Sequence, residues 1–259
     1  MNRRFTATSL ILVLLVLLIS ACGGKKAAGE SEVKPTETVK AAESETTTNE
    51  DADVKETSEN VSDNKDAADK KTKKTADEGY VKDGIYTNDY FGLTVQMPKE
   101  WEVQGQDAMQ DVMQTGKDII ANGDDDKQAA LDEAEQKILN FFLTSKYPMN
   151  EQDINPSVIS NAKKVSPLQV RNGKQYLEAS QAMLKTTELP YEFDEIKTVN
   201  LGGKDFHMMT ATLKGNGITL NQRYYSTLTD GYAVNFISTY FDDASKAETD
   251  KVIQSVKFE

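Results

Sequence analysis

The sequence predicts an α+β domain in which an antiparallel-rich sheet is sandwiched by helices, preceded by a disordered linker. Three observations predict it. Residues 195–240 carry four β-rich stretches separated by Gly202-Gly203, Gly215-Asn216-Gly217 and Asp230-Gly231, all good hairpin turns. Residues 107–142 repeat apolar side chains at helical spacing. Residues 23–79 hold no aromatic residue and no leucine, isoleucine or methionine among many Glu, Lys, Thr, Ser, Asp and Ala. Such a segment cannot bury enough apolar surface to offset the entropy of ordering it.

The chain begins with a bacterial lipoprotein signal, residues 1–21. Arg3 and Arg4 are its positive end, residues 10–19 are an unbroken apolar run, and Ile19-Ser20-Ala21-Cys22 fits a lipobox. The run is too short to span a hydrocarbon core, which takes roughly 20 helical residues, so a cleaved signal is the better reading. Cys22, the only cysteine, is the expected lipidation site, its thiol taking a diacylglyceryl group and its nitrogen becoming the mature terminus. Two acyl chains hold a protein stably at a bilayer where one binds marginally. The expected location is the extracytoplasmic face of the cell membrane, lipid-anchored. The long charged tether and Gly23-Gly24 favour a Gram-positive cell. Residues 22–79, the lipidated cysteine and its tether, span about 40 Å as a flexible chain.

Residues 80–259 contain every aromatic residue except Phe5 and form the expected single domain. Strands are expected over residues 85–89 and 93–97, followed by the Pro98-Lys99-Glu100-Trp101 corner. A helix over 107–120 carries Met109, Val112, Met113, Gly116, Ile119 and Ile120, and Asn122-Gly123 ends it. Asp124-Asp125-Asp126 opens a second helix with Leu131, Ala134, Ile138 and Phe142 on its buried face; residues 141–144 read equally as its end or as a strand. Ser166-Pro167 reads as the start of a helix carrying Tyr176, Leu177, Ser180, Met183 and Leu184. Strands are expected over 195–200, 205–213, 218–228 and 232–240, and Asp243 caps a last helix through Val256.

The formal charge of −12 becomes −14 once Arg3 and Arg4 leave with the signal. That argues against nucleic acid as a partner, since phosphates demand a positive surface, and against anionic lipid as a ligand of the protein surface. The expected partners are the membrane, through the lipid, and a protein at the cell surface.

Several short blocks carry a resemblance. The stretch YTNDYFGLTVQMPKEW, then Gly203-Lys204-Asp205-Phe206, Asn221-Gln222-Arg223-Tyr224-Tyr225, Asp230-Gly231-Tyr232-Ala233 and Ser255-Val256-Lys257-Phe258 resemble the PsbP-like α/β/α sandwich. That family includes an extrinsic photosystem subunit, a Ran-binding import factor and many bacterial surface lipoproteins. The resemblance covers most of residues 86–258 and implies a non-enzymatic binding or assembly role rather than a shared ligand.

Other constellations bear on chemistry. His207 is the only histidine, so two-histidine zinc motifs are excluded and any histidine-based hydrolase must rest on it alone. Asp124, Asp126, Gln128, Asp132 and Glu135 match positions of a calcium loop, but Ala129 stands where the turn needs glycine. Acidic residues at a helix start explain the triplet more simply. Glu188, Glu192, Asp194 and Glu195 surround Leu189-Pro190-Tyr191 as a solvated acidic loop. Met109 and Met113, like Tyr224-Tyr225, are core residues before they are a binding surface. Gly215-Asn216-Gly217 lies between strands and so is a hairpin, not a phosphate loop. No catalytic residue, metal site or cofactor is expected; a hydrolase-type surface enzyme or a small-ligand- or calcium-binding lipoprotein is the alternative.

Overall fold

The structure, a computed structural model, describes residues 75–149, 151, 154–187, 189–215 and 217–259. The expected signal, Cys22 and the tether up to residue 74 lie outside the described residues. In chain order the elements are β1 (Tyr80–Lys82), β2 (Ile85–Asn88), β3 (Leu93–Gln96), β4 (Glu102–Val103), α1 (Gln106–Ala121), α2 (Asp125–Glu135), β5 (Ile138–Ser145) and β6 (Ser157–Lys164). There follow α3 (Gly173–Leu184), β7 (Tyr191–Phe193), β8 (Lys197–Leu201), β9 (Lys204–Gly215), β10 (Ile218–Thr229), β11 (Tyr232–Tyr240), α4 (Asp243–Gln254) and β12 (Lys257–Phe258).

The fold is α+β with two antiparallel sheets where one was expected. The smaller runs β1-β2-β3-β12; the larger runs β4-β5-β6-β11-β10-β9-β7, with β8 also pairing β9. Strand alternation gives the large sheet two buried faces. On one, Met209, Ala211, Tyr224, Ala233 and Ile237 meet Met113 of α1, Leu131 of α2 and Leu177 of α3. On the other, Phe142, Val158, Phe206, Val234 and Phe236 meet Tyr86, Leu93 and Val95 of the small sheet and Val252 and Ile253 of α4. The result is three layers: helices, large sheet, and small sheet with α4.

The local chemistry explains most boundaries. Asn122 adopts φ 49° after α1 and its N–H bonds Asp118 O, the left-handed stop expected of Asn. Asp124 caps α2, accepting from the Lys127 N–H. The last helix is capped by Asp242, not Asp243. The Asp242 carboxylate accepts from the Ser245 N–H while the Ser245 hydroxyl lies 3.0 Å from the Asp242 N, closing a capping box. That helix stops at Gln254, and Lys257–Phe258 joins β3.

Three expectations fail for identifiable reasons. The second helix ends at Glu135, and Ile138 and Phe142 belong to β5; a strand buried on both sides reads as a continuous apolar run and loses its alternation. Ser166-Pro167 forms a turn, with the Gln169 and Val170 N–H groups both on Ser166 O, and α3 starts at Gly173 behind the Asn172 cap. Tyr176, Leu177, Ser180 and Leu184 do lie on its buried side. Strand β6 was not anticipated at all: Ser157, Ser160, Asn161 and Lys163 are buried in it, so a central strand carries a polar sequence. The short strands β1, β4 and β7 also escaped the pattern, and β8 starts at Lys197 rather than 195.

Candidate functional site

Pro98 ends the first hairpin because it has no N–H to give a ladder, and its carbonyl accepts the Trp101 N–H at 3.1 Å. This turn lays Trp101 against the core, 8% exposed, and sends β4 alongside the end of β5, Glu102 opposite Ser145. Lys146 and Tyr147 follow directly. Asn155 clamps that corner: its Oδ1 accepts the Tyr147 N–H at 3.0 Å and its Nδ2 donates to Tyr147 O at 2.9 Å. The Ser145 hydroxyl donates to the same carbonyl at 2.7 Å. From α4, Glu248 and Lys251, one turn apart, face the corner.

Together Pro98, Glu100, Trp101, Lys146, Tyr147, Glu248 and Lys251 line an open groove of about 470 Å³, within the size range of small-ligand sites. Lys146 Nζ donates to both Glu248 carboxylate oxygens, at 2.9 and 3.0 Å, and stands 5.7 Å from the Tyr147 ring centre. The hydrogen bond to Glu248 holds the Lys146 ammonium above its ordinary range. Tyr147 is 38% exposed. The groove therefore offers aromatic and proline surface beside a fixed ion pair, with Lys251 and Glu100 adding one further charge of each sign. Two cations and two anions make it a neutral spot on an acidic chain.

The residues singled out in the sequence fall elsewhere. His207 sits in β9 between Ser226 of β10 and Thr198 of β8, under α3 and outside the groove. Asp132 and Glu135 do not converge on Asp124: both grip Lys117 Nζ, at 2.7 and 2.6 Å. Burial lowers the Lys117 ammonium, but these two carboxylates outweigh it and hold it above the ordinary value. Glu192 pairs with Lys214 at 2.8 Å, while Glu188 and Asn216 lie outside the described residues. Met109 and Met113 are core, and Tyr224 and Tyr225 are buried on opposite faces of the large sheet. Among the described residues no three His, Cys, Asp or Glu side chains could share a metal ion, and no helix is long and apolar enough to cross a membrane.

Of the groove, the sequence had pointed only to the Pro98–Trp101 corner. Lys146, Tyr147, Glu248 and Lys251 come from segments a hundred residues apart and carry no motif.

No protein-family model matches the chain, and no curated protein matches it. Solved structures similar to it include one from Bacteroides thetaiotaomicron, at 13% identity and a TM-score of 0.36, over 65% of this chain and 45% of that one. This chain thus spans less than half the length of that structure. LpqN of Mycobacterium tuberculosis, described as involved in cell envelope biogenesis, is similar at 14% identity and a TM-score of 0.36, over 64% of this chain and 82% of its own. A cyanobacterial PsbP from Synechocystis is similar at 13% identity and a TM-score of 0.42, over 68% and 91%.

Proposed function

We propose that the chain is a membrane-anchored extracytoplasmic lipoprotein with a non-catalytic binding or assembly-accessory role, its folded part docking a partner at the Trp101 groove. The observation that carries this reading is the state of the groove's ionisable groups. Lys146 and Glu248 are engaged with each other at 2.9 Å, which fixes one charge of each sign at the groove. A fixed ion pair beside exposed aromatic surface suits recognition. The resemblance of the sequence to PsbP-like proteins supports the same class, and the lipobox at Cys22 supports the anchor.

A photo-crosslinking side chain at position 147, in cells, tests the docking. One dominant adduct, weakened by Lys251→Ala, is expected; equal labelling of many proteins, unchanged by Lys251→Ala, would refute it. Labelling with a palmitate analogue tests the anchor, and a Cys22→Ala protein that stays labelled and membrane-bound would remove it. Turnover of any substrate in a hydrolase panel, abolished by His207→Ala, would replace the binding role with an enzymatic one.

A further inference from the structure

Six neighbouring strands of the large sheet each place a polar residue in a single cross-strand row. Asn140 of β5 pairs with Asn161 of β6, and Asn161 with Asn235 of β11. Asn235 pairs with Ser226 of β10, Ser226 with His207 of β9, and His207 with Thr198 of β8. Residues opposite each other share a face, as do residues two apart along a strand. The positions two away are Ile138, Ile159, Ala233, Ile237, Tyr224 and Met209, all in the core beneath the helices. The row therefore faces the helices, and an otherwise apolar face is crossed by a polar stripe.

The first turns of α3 stand on this stripe. A Cβ on Gly173 would collide with the Ser226 carbonyl oxygen and come within 3.2 Å of His207 Nδ1, so glycine is what lets the helix sit so low. Tyr176 comes close enough to Asn235 for that amide to oppose the upward push of burial on its phenol. The stripe is only partly self-satisfied. Asn235 Nδ2 donates to Asn161 Oδ1 and to Ala233 O, both at 3.0 Å. Asn140 Oδ1, Ser226 Oγ and Asn235 Oδ1 are buried with no hydrogen-bond partner. Three of the eight such side-chain atoms among the described residues thus belong to one row.

Buried polar atoms in native proteins are nearly always hydrogen-bonded, and where side chains do not suffice, water with two to four polar partners supplies the rest. Ser226 and Asn235 lie on paired strands about 4.8 Å apart, a gap one water can bridge, and Asn140 lies two strands from Asn235, across Asn161. The solvent end of the row is His207, half-buried, beyond which Thr198 is exposed. Further along α3, Leu177 and Leu184 pack, as Tyr176 does, in the apolar core with Met209, Ala211 and Tyr224. We propose that the row is a hydrated seam, a built site for ordered water, and that the first turn of α3, from Gly173, is its cover. Hydrogen bonds to water at the seam survive the lifting of the cover, whereas apolar contacts do not, so opening begins at Gly173.

Two measurements on the full chain test this. Amide hydrogen exchange at residues 173–177 is expected to run about 100-fold or more faster than at residues 232–240, reporting local rather than global opening. Nuclear Overhauser transfer from long-lived water to the Asn235 side-chain amide is expected as well. Filling the seam with Asn161→Leu and Asn235→Leu together should slow exchange at 173–177 by about 10-fold. Exchange at 173–177 as slow as in β11, or an Asn235 amide with no transfer from water, would overturn the proposal. If the double variant fails to fold, the two wild-type measurements still decide.

Discussion

The two faces of the large sheet are buried by different chemistry. Towards the small sheet, Phe142, Phe206 and Phe236 lie in a chain of rings, with centroids 6.5 Å apart for Phe142–Phe236 and 5.8 Å for Phe206–Phe236. Tyr86 joins it 5.0 Å from Phe142. Towards the helices, Asn161, Asn235 and Ser226 stand where apolar side chains would be expected. The aromatic face gains its free energy chiefly from area removed from water, which is non-directional, with ring-pair geometry adding a smaller part. The polar row gains little net from burial and requires specific partners. The first is built to hold, the second to specify register and permit movement. The groove belongs to the first: Trp101 is part of the aromatic cluster at the point where it meets solvent.

The sharpest test of this contrast lies within one strand. Phe236 is fully buried and its neighbour Asn235 is 5% exposed on the opposite face. Phe236→Ala should cost about 3–5 kcal/mol by denaturant unfolding, through lost transfer energy and the cavity left behind. Asn235→Ala should cost about 1–3 kcal/mol, chiefly by stranding Asn161 Oδ1. Equal costs would break the comparison.

The next effect in size belongs to Gly173→Ala. Alanine is ordinarily the better helix former, but here the added methyl meets the Ser226 carbonyl. The expected outcome is destabilisation by about 1–3 kcal/mol, the usual range for overpacking, with the lost protection confined to α3. A stabilised protein would mean that the helix rides higher over the row than drawn.

Lys163 provides a pH test of the same face. It is 2% exposed, and burial, helped by the nearby Lys137, pushes its ammonium down to about 7. The unfolded chain holds that proton up to the ordinary lysine value, so between the two the unfolded state binds more protons. Stability from this group therefore rises as pH climbs from about 7 towards 10, by no more than about 1.4 kcal/mol per pH unit. Lys163→Met should flatten that rise and stabilise the protein at neutral pH, as unfolding midpoints across the range would show. A wild-type curve already flat above pH 7 would mean that Lys163 keeps its charge.

These contrasts also explain what could be read from the sequence. The hairpins β8–β9 and β10–β11 were legible because Gly202-Gly203 and Asp230-Gly231 mark their turns and the strands are rich in β-branched and aromatic residues. Helix α1 was legible because Met109, Val112, Met113 and Ile120 keep helical spacing. Strand β6 was not, because the polar row runs through it: Asn161 and Lys163 occupy inward positions that a pattern reader assigns to solvent. For β5 the obstacle was the reverse, an excess of apolar residues on both faces. The groove was legible only at Trp101, since the pairing of Lys146 with Glu248 depends on α4 crossing the end of β5, and that is a product of the whole fold.

The smallest expected effect concerns the groove's outer wall. The Lys146 and Glu248 side chains are 34% and 31% exposed, and ion pairs so open to water contribute at most about 1 kcal/mol. Glu248→Gln should therefore leave the unfolding midpoint nearly unchanged. It should still alter the groove, because Lys146 loses one of its two acceptors and the opposite charge that holds it, and Trp101 gains access to water. Trp101 is the only tryptophan in the chain, so its emission reads this place alone, and a red shift without loss of stability is the expected signature. The aromatic cluster behind Trp101 keeps its position while the charged wall in front relaxes. An unshifted emission would mean that the pair does not close the groove, and the fixed-wall argument for recognition there would fall with it.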